Sequence, residues 1–379
     1  MIVVTTEYDA IVIGVGAMGS ACCYHLARRG ARVLGIERFG IPNALGSSHG
    51  FSRMIRMAYY EHADYVPLLR RAFALWEELE RESREKLFYK IGGIYMGRPT
   101  DPAIAGALAS ARVHGLPHEL LSREELRSRY PQFHVPEDVV GMFEENAGLL
   151  VPEKCVAAHA RLAREAGAEI HPDEEVVEWG EGWVKTVRET YRAKQIVFTA
   201  GPWTSRLVRE LGVKLEVTRQ VLGWVTPRRP ELFELGRLPV WAIGHADGSL
   251  HYGFPMLPDG EGFKLAWHRA GEATDPDLVR RETSLEDEEE FRTVLREIIP
   301  DANGPLRSMR ICLYTNSPDH HFVIDRLPGR EGVIVACGFS GHGFKFASVV
   351  GEVLADLVTR GKTDLPVEFL KAGRFSAVI

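Results

Sequence analysis

The stretch that decides the fold reads Tyr8-Asp9-Ala10-Ile11-Val12-Ile13-Gly14-Val15-Gly16-Ala17-Met18-Gly19 and continues to Glu37. Its apolar run, residues 10–13, predicts a buried parallel strand. The glycine turn that follows predicts the start of a helix, which runs through Leu26 and ends at Gly30. A second apolar strand then closes on Glu37. This order of strand, glycine turn, helix and strand is typical of a dinucleotide-binding unit.

Each glycine of the turn has its own predicted task. Gly14 makes the tight turn, Gly16 lets the backbone approach a pyrophosphate, and Gly19 lets the helix pack close to the strand. The helix N-terminus offers unpaired N–H groups and a partial positive charge to the pyrophosphate. Glu37, at the tip of the second strand, is placed to accept hydrogen bonds from a ribose diol. A chance glycine-rich turn is the alternative, but helix, strand and carboxylate together favour the nucleotide site.

The composition narrows the class of protein. A chain of 379 residues is long enough for two domains, and its 45% hydrophobic and 26% charged residues are typical of a soluble globular protein. The net charge of −6 provides no basic surface for nucleic acid or acidic membranes. No apolar run reaches the length of a bilayer span, and residues 1–7 lack a signal-peptide pattern. We therefore expect a cytoplasmic protein without nucleic-acid or membrane partners.

Cysteine and histidine spacing gives no sign of a disulfide framework or a metal site. None of the five cysteines stands in a Cys-x-x-Cys pair, and four of them are predicted to be buried and inert. Cys312 is the one left open. The histidines lack a helical i,i+4 pair with a carboxylate or a cysteine partner at ligand spacing, so we expect no metal.

The pattern changes along the chain from α/β to β-rich and back. Residues 195–203 predict a second strand, turn and helix of the kind that lines a nucleotide crevice. Residues 220–225, 250–254 and 263–268 predict an antiparallel sheet that forms one wall of a pocket. Residues 333–346 then predict a strand followed by another glycine turn, which carries Lys345. A tight turn without a ligand is the alternative there, but Lys345 favours a ligand. The nucleotide domain is therefore predicted to be discontinuous.

Five blocks of this sequence together resemble the monomeric sarcosine oxidase family, FAD-dependent amine oxidases that share a flavin domain with D-amino-acid oxidase. They are the N-terminal motif and residues 46–59, 263–268, 311–325 and 338–346. The similarity covers essentially the whole chain, and the blocks around Cys312 and Lys345 are more discriminating than the N-terminal glycines. The resemblance implies a Rossmann-like FAD-binding domain and an antiparallel-sheet catalytic domain. The expected boundaries are 1–88, 150–216 and 316–379 for the first, and 89–149 and 217–315 for the second.

The resemblance also implies how the flavin is held. Cys312 matches the cysteine that attaches the flavin through an 8α thioether. His49 and Arg53 match residues packed on the flavin, where Arg53 can favour the anionic reduced ring. The N–H groups after Gly341 match those that face the flavin pyrimidine oxygens. The remaining residues expected at the cofactor are Gly14, Gly16, Ala17, Met18, Gly19, Glu37, Arg38, Ser48, Val176, Ala200, Gly201, Trp203, His342, Gly343, Phe344 and Lys345.

Substrate roles follow from the same resemblance. Arg56 and Lys345 match the cation pair that binds a substrate carboxylate, which suits anchoring an amino acid in a dry pocket. Lys264 matches the lysine that holds a water near flavin N5 and speeds the reaction with oxygen. His268 and Tyr252 match pocket residues near the substrate amine and carboxylate. Taken singly, Arg56 could form a surface salt bridge, Lys264 could be a solvated strand lysine and His268 a core histidine. The intact spacing of the blocks favours the functional roles, and Arg53 joins Lys264, His268 and Tyr252 as a candidate catalytic residue.

The implied activity is oxidation of secondary amino acids, with sarcosine the leading substrate and glycine, formaldehyde and hydrogen peroxide the products. Related oxidases of N-methyltryptophan, pipecolate, proline or glycated amino acids remain alternatives. A dehydrogenase that passes electrons to a quinone or protein acceptor is another, although Lys264 favours oxygen. A third alternative is a non-catalytic NAD-binding regulator that uses only the first motif. The expected partners are an amino acid and O2, and the expected state is a monomer.

Overall fold

The computed structural model describes residues 7–258 and 260–375. The N-terminal residues 1–7 were predicted to lack a signal-peptide pattern, and all of them except Glu7 lie outside the described residues. The described residues contain eight α-helices, none long and apolar enough to cross a lipid bilayer. The helices are α1 (Ala17–Arg28), α2 (Tyr65–Ser83), α3 (Pro102–His114), α4 (Arg123–Arg129), α5 (Pro152–Glu165), α6 (Thr204–Leu207), α7 (Leu285–Glu297) and α8 (Ala347–Arg360).

Twenty strands form three sheets in the described part of the chain. The first ten are β1 (Glu7–Ile13), β2 (Val33–Ile36), β3 (Arg53–Ile55), β4 (Phe88–Lys90), β5 (Gly93–Gly97), β6 (Glu119–Leu121), β7 (Val140–Glu144), β8 (Gly148–Leu150), β9 (Glu169–His171) and β10 (Val176–Gly180). The others are β11 (Trp183–Thr186), β12 (Thr190–Phe198), β13 (Glu216–Val225), β14 (Val240–Gly244), β15 (Leu250–Phe254), β16 (Phe263–His268), β17 (Glu272–Ala273), β18 (Leu306–Asn316), β19 (Val323–Arg326) and β20 (Val333–Cys337).

The sheet that contains the N-terminal motif has a parallel centre, with strand order β20-β12-β1-β2-β9. Alternate residues of β1 enter different apolar clusters: Ala10 and Val12 pack with the helices, while Ile11 and Ile13 pack on the opposite face. Both faces are covered, which explains why the strand reads as a continuous apolar run. The predicted buried parallel strand is therefore confirmed.

The β-rich middle of the chain forms a nine-stranded sheet in the order β17-β13-β16-β15-β14-β5-β7-β6, with β18 also paired to β13. Its pairs are antiparallel except for β14 with β5. The predicted antiparallel wall is therefore present, and the mixed α/β class is confirmed. A small third sheet, β3-β8-β4, lies between residues 53 and 150. The domain boundaries given above stay a prediction.

One expectation is corrected by the local structure. The helix expected after residues 195–203 is only the short α6, which follows a 3₁₀ turn at Gly201–Trp203. At the start of α3, the Asp101 carboxylate accepts from the Arg98 N–H at 2.7 Å and makes no capping bond. At the start of α4, the Ser122 hydroxyl and the Glu125 carboxylate form a complete capping box.

Candidate functional site

A cavity of about 320 Å³ lies between the glycine turn after β1 and the nine-stranded sheet. Most residues that the sequence predicted for a site lie on its wall. They are Gly14, Gly16, Ala17, Met18, Glu37, Arg38, Ser48, Arg53, Arg56, Val176, Ala200, Gly201, Trp203, Tyr252, His268, Cys312, Gly341, His342, Gly343, Phe344 and Lys345. Gly19, His49 and Lys264 are not on the wall. Sequence positions from both ends and the middle of the chain therefore meet in one place.

The glycine turn has the geometry that its predicted tasks require. Gly14 has φ of +90°, which side-chain-bearing residues rarely adopt. A Cβ on Gly19 would lie 1.9 Å from the Gly14 carbonyl oxygen, so α1 approaches β1 closely at this point. A Cβ on Gly16 would meet only the Ser48 hydroxyl, at 3.7 Å. The backbone near Gly16 is therefore open to a ligand, at the N-terminus of α1.

Glu37 is buried at the tip of β2 and lines the cavity. Its Oε2 accepts from the Val15 N–H at 2.8 Å and its Oε1 from the Phe39 N–H at 3.1 Å. Burial raises the pKa of Glu37, and these backbone donors oppose the effect. Each carboxylate oxygen keeps a further acceptor site. Hence Glu37 can accept hydrogen bonds from two hydroxyl groups of a ligand while its bonds to the Val15 and Phe39 N–H groups stabilise the turn.

The segment between β17 and α7 also contributes to the cavity wall, at Asp277. Asp277, between β17 and α7, accepts from Arg38 Nη1 at 2.8 Å and from Trp203 Nε1 at 2.7 Å. It also pairs with Arg206. Arg38 and Trp203 belong to the parallel sheet and its turns, so this carboxylate ties the two sheets together across the cavity.

The cavity wall also carries a thiol, that of Cys312, next to the guanidinium of Arg53. Cys312 is buried on β18, and its Sγ lies 3.5 Å from Arg53 Nη2. Arg53 is held by the carbonyl oxygens of Ser52 at 2.9 Å and Ser47 at 3.0 Å. The positive charge of Arg53 therefore has a fixed position next to the sulfur, where it can stabilise a thiolate or another anion.

A buried layer behind this wall braces the loop of residues 46–53. Lys264 Nζ donates to the carbonyl oxygens of Gly50 at 2.7 Å and Ser52 at 2.8 Å. Glu153 accepts from the N–H groups of Gly50 and Phe51. Burial lowers the pKa of Lys264 well below its ordinary value, and the nearby charge of Arg53 adds to the effect. The prediction of a solvated strand lysine is thus excluded.

His49, in the same loop, has two ring nitrogens that form no hydrogen bond with the described residues. The residue is 2% exposed. Burial, then the charge of Arg53, lowers the pKa of His49 to about 3, so the ring is neutral. Thr315 Oγ1, whose residue is on the cavity wall, likewise lacks a partner in this part of the chain. Buried polar atoms without partners are costly and are usually explained by a ligand or water.

Arg56 also lies on the cavity wall and is already paired. Its Nη2 donates to both oxygens of Glu61, at 2.7 and 2.8 Å, and the side chains are 5% and 13% exposed. The guanidinium also lies over the rings of Tyr59 and Tyr60, 4.3 and 4.5 Å from their centroids. Burial raises the pKa of Glu61, but the charge of Arg56 more than offsets this and the pKa falls to about 2.

Lys345 is the second buried cation on the cavity wall. Its Nζ donates to the His342 carbonyl oxygen at 2.7 Å, and the residue is 6% exposed. Burial, then the charge of Arg56, lowers the pKa of Lys345 to about 7. His342 is fixed by hydrogen bonds of its ring with the Tyr59 hydroxyl and the His320 carbonyl oxygen. Burial lowers the pKa of His342 to about 3, so the ring is neutral and adds no charge.

His268 and Tyr252 form the side of the cavity on β16 and β15. His268 Nδ1 lies 3.3 Å from the Tyr314 hydroxyl. Burial lowers the pKa of His268 to about 4, and burial raises the pKa of Tyr252. Both groups are therefore neutral hydrogen-bonding groups at physiological pH, and the core-histidine alternative is wrong because His268 reaches the cavity.

These residues fit an extended dinucleotide that carries a flavin. The glycine turn and Glu37 suit a pyrophosphate and a ribose, and the Thr315 hydroxyl on the cavity wall, which has no partner among the described residues, suits a polar group of the same ligand. Metal binding has no comparable support, since no group of three or more His, Cys, Asp or Glu side chains in the described ranges could hold an ion.

Sequence reasoning missed several residues of the site. Glu61 follows the block 46–59 and carries a carboxylate five positions after Arg56, which was the available signal. Tyr60 and Tyr95 line the cavity without any motif of their own. Asp277 lies in a segment whose sequence gave no indication of a site.

Comparisons with known proteins agree with this geometry. Residues 9–357 match the family model described as "FAD dependent oxidoreductase". The chain is 42% identical to a monomeric sarcosine oxidase of Streptomyces avermitilis, and the match covers 98% of both chains. It is 34% identical to an N-methyl-L-tryptophan oxidase of Salmonella dublin, covering 98% of this chain and 100% of the relative. Among solved structures, NikD, described as an unusual amino acid oxidase essential for nikkomycin biosynthesis, matches with a TM-score of 0.82 and 26% identity, over 97% of this chain and 98% of NikD.

Proposed function

Since the chain belongs to the family of FAD dependent oxidoreductases, we propose that it is an oxidase of secondary amino acids with sarcosine as its leading substrate. The overall reaction is sarcosine + O2 + H2O → glycine + formaldehyde + H2O2. Bound FAD supplies the two-electron acceptor for this chemistry and is reoxidised by O2. The observation that carries the proposal is the pair of buried cations, Arg56 and Lys345, on the wall of the same cavity that the glycine turn lines.

The cation pair binds the substrate carboxylate. A guanidinium donates hydrogen bonds to both oxygens of a carboxylate, and Arg56 already holds the Glu61 carboxylate by donating from Nη2 to both of its oxygens. The substrate carboxylate therefore replaces Glu61 on Arg56. Lys345, whose pKa of about 7 leaves much of it protonated in neutral solution, gains a partner for its charge when the carboxylate arrives.

The remaining walls suit an uncharged amine. His268 is neutral because burial lowers its pKa to about 4, and Tyr252 and Tyr314 are neutral hydroxyl donors and acceptors. Burial disfavours an ammonium ion, so the substrate amine loses its proton on binding and keeps a free lone pair. The lone pair assists transfer of the two electrons and the hydrogen from the adjacent carbon, and the resulting imine is hydrolysed to formaldehyde and glycine. Holding the carboxylate and amine together provides a near-attack geometry.

The same proposal assigns the cofactor residues. Gly14, Gly16 and the start of α1 hold the pyrophosphate, and Glu37 holds the ribose hydroxyls. Cys312 would attach the flavin through an 8α thioether: the S–H bond and one C–H bond of the 8-methyl group give way to the C–S bond, and O2 takes the two electrons and two protons as hydrogen peroxide. The buried place of Cys312 beside Arg53 on the cavity wall supports this role. The turn from Gly341 to Lys345 presents N–H groups to the flavin pyrimidine oxygens. The proposed site is completed by further residues on the cavity wall: Ala17, Met18, Arg38, Ser48, Val176, Ala200, Gly201, Trp203, His342, Gly343 and Phe344. Gly19 and His49, which are not on the wall, are proposed to support it from behind.

Lys264 is proposed to assist the reaction with oxygen. When protonated, Lys264 has three N–H donors; two go to the carbonyl oxygens of Gly50 and Ser52, which leaves one for a water molecule or for the reduced oxygen species. Burial lowers the pKa of Lys264, but negative charge that develops on oxygen favours the protonated form, which stabilises that charge. If O2 reoxidises the reduced flavin slowly, and if Lys264→Met does not change this rate, the protein is instead a dehydrogenase.

An oxidase of N-methyl-L-tryptophan is the second candidate, because a relative with that name is 34% identical over 98% of this chain. We also propose a monomer, which agrees with the name of the sarcosine oxidase relatives, and a cytoplasmic location. The domain boundaries of 1–88, 150–216 and 316–379 against 89–149 and 217–315 are consistent with the two large sheets.

Two measurements test the proposal. A panel of amines, including sarcosine, N-methyltryptophan, pipecolate and proline, is assayed for hydrogen peroxide. We expect the highest kcat/KM with sarcosine, and a clear preference for a bulky amine would displace it. To test covalent attachment of the flavin, the protein is precipitated with acid and the absorption of pellet and supernatant is measured. We expect the flavin bands to stay with the pellet of the wild type and to appear in the supernatant of Cys312→Ala. A purified protein that is colourless and takes up no FAD would overturn the proposal as a whole.

A further inference from the structure

One wall of the cavity contains a small residue between two large ones. Ala242 on β14 is directly opposite Tyr95 on β5 and Tyr252 on β15. Residues that are directly opposite one another in neighbouring strands project to the same face of a sheet. All three line the cavity. Because alanine is much smaller than either tyrosine, the wall is lowest at Ala242, which is 1% exposed, and we call this low point of the wall the recess.

The walls of this recess are apolar. Leu250 lies two residues before Tyr252, so it is on the same face of β15, and it lines the cavity together with Met54 and Tyr60. The Tyr95 hydroxyl contacts Met54 Sδ at 3.7 Å, and the rings of Tyr60 and Tyr95 meet edge to face at 6.1 Å. A ligand group that enters the recess meets hydrocarbon, sulfur and aromatic surfaces.

The recess adjoins the carboxylate anchor. Arg56 Cζ lies 5.1 Å from the centroid of the Tyr95 ring, and Tyr95 is the cross-strand neighbour of Ala242. Adjacent strands are about 5 Å apart. A substrate whose carboxylate is bound by Arg56 therefore has its other substituents within reach of Ala242.

Helix α3 limits the depth of the recess. Gly97 and Gly244 lie two residues beyond Tyr95 and Ala242, on the same face of the sheet. A Cβ on Gly97 would meet Ile104 Cγ1 at 3.2 Å, and a Cβ on Gly244 would meet Ala103 Cβ at 3.5 Å. The helix thus packs directly against the sheet next to the recess. A short aliphatic group fits such a bounded space better than a fused aromatic ring system.

From these contacts we infer that Ala242 determines substrate size, and that the recess takes a short aliphatic substituent, such as an isobutyl group, of a secondary amino acid. The inference rests on the proposed function, since it requires a carboxylate on Arg56. The substituent can be carried by the α-carbon or by the nitrogen, and both place the same chemistry against Ala242, Tyr95 and Leu250.

The test compares three amines in the flavin-loaded protein: sarcosine, N-methyl-L-leucine and N-isobutylglycine. Ala242→Leu fills the recess, and Ala242→Val is a milder change if the first variant folds poorly. Val240→Leu is the matched control, because Val240 is buried on the same strand and face but is absent from the cavity wall. Oxidation is followed by peroxide release, and binding is followed by inhibition of sarcosine oxidation.

We expect the wild type to oxidise one of the two larger amines, and Ala242→Leu to lower its kcat/KM relative to sarcosine by about 10- to 100-fold, as for other tight apolar pockets. Val240→Leu should keep the wild-type ratio. The amine that loses activity tells whether the α-carbon or the nitrogen substituent occupies the recess. If both larger amines are neither oxidised nor inhibitory, or if Ala242→Leu leaves the ratio unchanged, the inference is wrong while sarcosine oxidation stands. Failure with every amine would instead refute the proposed function.

Discussion

The Glu61 carboxylate offers a sharp test of how substrate is bound. In the free protein Glu61 occupies the guanidinium of Arg56 through two short hydrogen bonds. We propose that the substrate carboxylate takes this place, so Glu61 competes with the substrate. Replacing Glu61 by glutamine removes the competing charge while keeping nearly the same shape. We therefore expect Glu61→Gln to bind carboxylates more tightly and to be less stable without them.

The magnitude follows from the pKa of Glu61, which falls from its ordinary value of 4.5 to about 2. At about 1.4 kcal/mol per pKa unit, this difference corresponds to about 3 kcal/mol of stabilisation of the ionised carboxylate. Glutamine still donates and accepts hydrogen bonds, so part of this is retained. We expect the Kd for a carboxylate to fall by about 10- to 100-fold. The pKa is lowered in the folded state, so the stability is present above about pH 4.5 and is lost as the pH falls towards 2.

The assay measures the Kd of methoxyacetate, a carboxylate without an amine, by calorimetry, and the free energy of unfolding by denaturant. Glu144→Gln is the control, because Glu144 is also a buried carboxylate, but its partners within residues 7–258 and 260–375 are the Met57 and Ala58 N–H groups, at 2.6 and 2.8 Å. It should lose stability without tighter binding. Unchanged or weaker binding of methoxyacetate by Glu61→Gln would show that Glu61 does not hold the place of the substrate carboxylate.

Three further predictions concern charge and packing. Because the pKa of Lys345 is about 7, methoxyacetate binding should weaken about tenfold per pH unit above 7, and Lys345→Met should bind weakly without this dependence. Gly19→Ala, whose Cβ would lie 1.9 Å from a carbonyl oxygen, should lose bound flavin in absorption spectra, whereas Gly40→Ala, in open space, should keep it. Asp287→Ala leaves the buried Arg219 without its partner, and should lower the free energy of unfolding by about 3–5 kcal/mol; a loss below about 1 kcal/mol would contradict the pairing.

The N-terminal unit could be predicted because its determinants are local. Gly14 and Gly19 are needed by a turn and by a close helix–strand contact that involve residues a few positions apart. The same is true of the capping box at Ser122. In each of these elements, the side chains that select the conformation lie within the element or next to it.

The parts of the site that could not be predicted depend on distant contacts. Asp277 is separated from its partners Arg206, Trp203 and Arg38 by 71, 74 and 239 positions. Glu61 is close to Arg56 in sequence, but only the folded loop shows that the two side chains pair and are buried together. The absence of Lys264 from the cavity wall is another such result, since its hydrogen bonds with the loop of residues 46–53 span more than 200 positions.

The parallel sheet has a consequence for how the protein is made. β12 lies between β1 and β20, so the centre of the sheet is incomplete until the strand ending at Cys337 has left the ribosome. At about 5–20 residues per second, the interval between β1 and β20 is roughly 20 to 60 s. During that time the nascent chain exposes apolar strand edges and lacks the turn that ends at Lys345. Because the proposed cofactor site includes that turn, we expect cofactor capture to follow translation of nearly the whole chain, so that cellular flavin supply acts on a finished polypeptide.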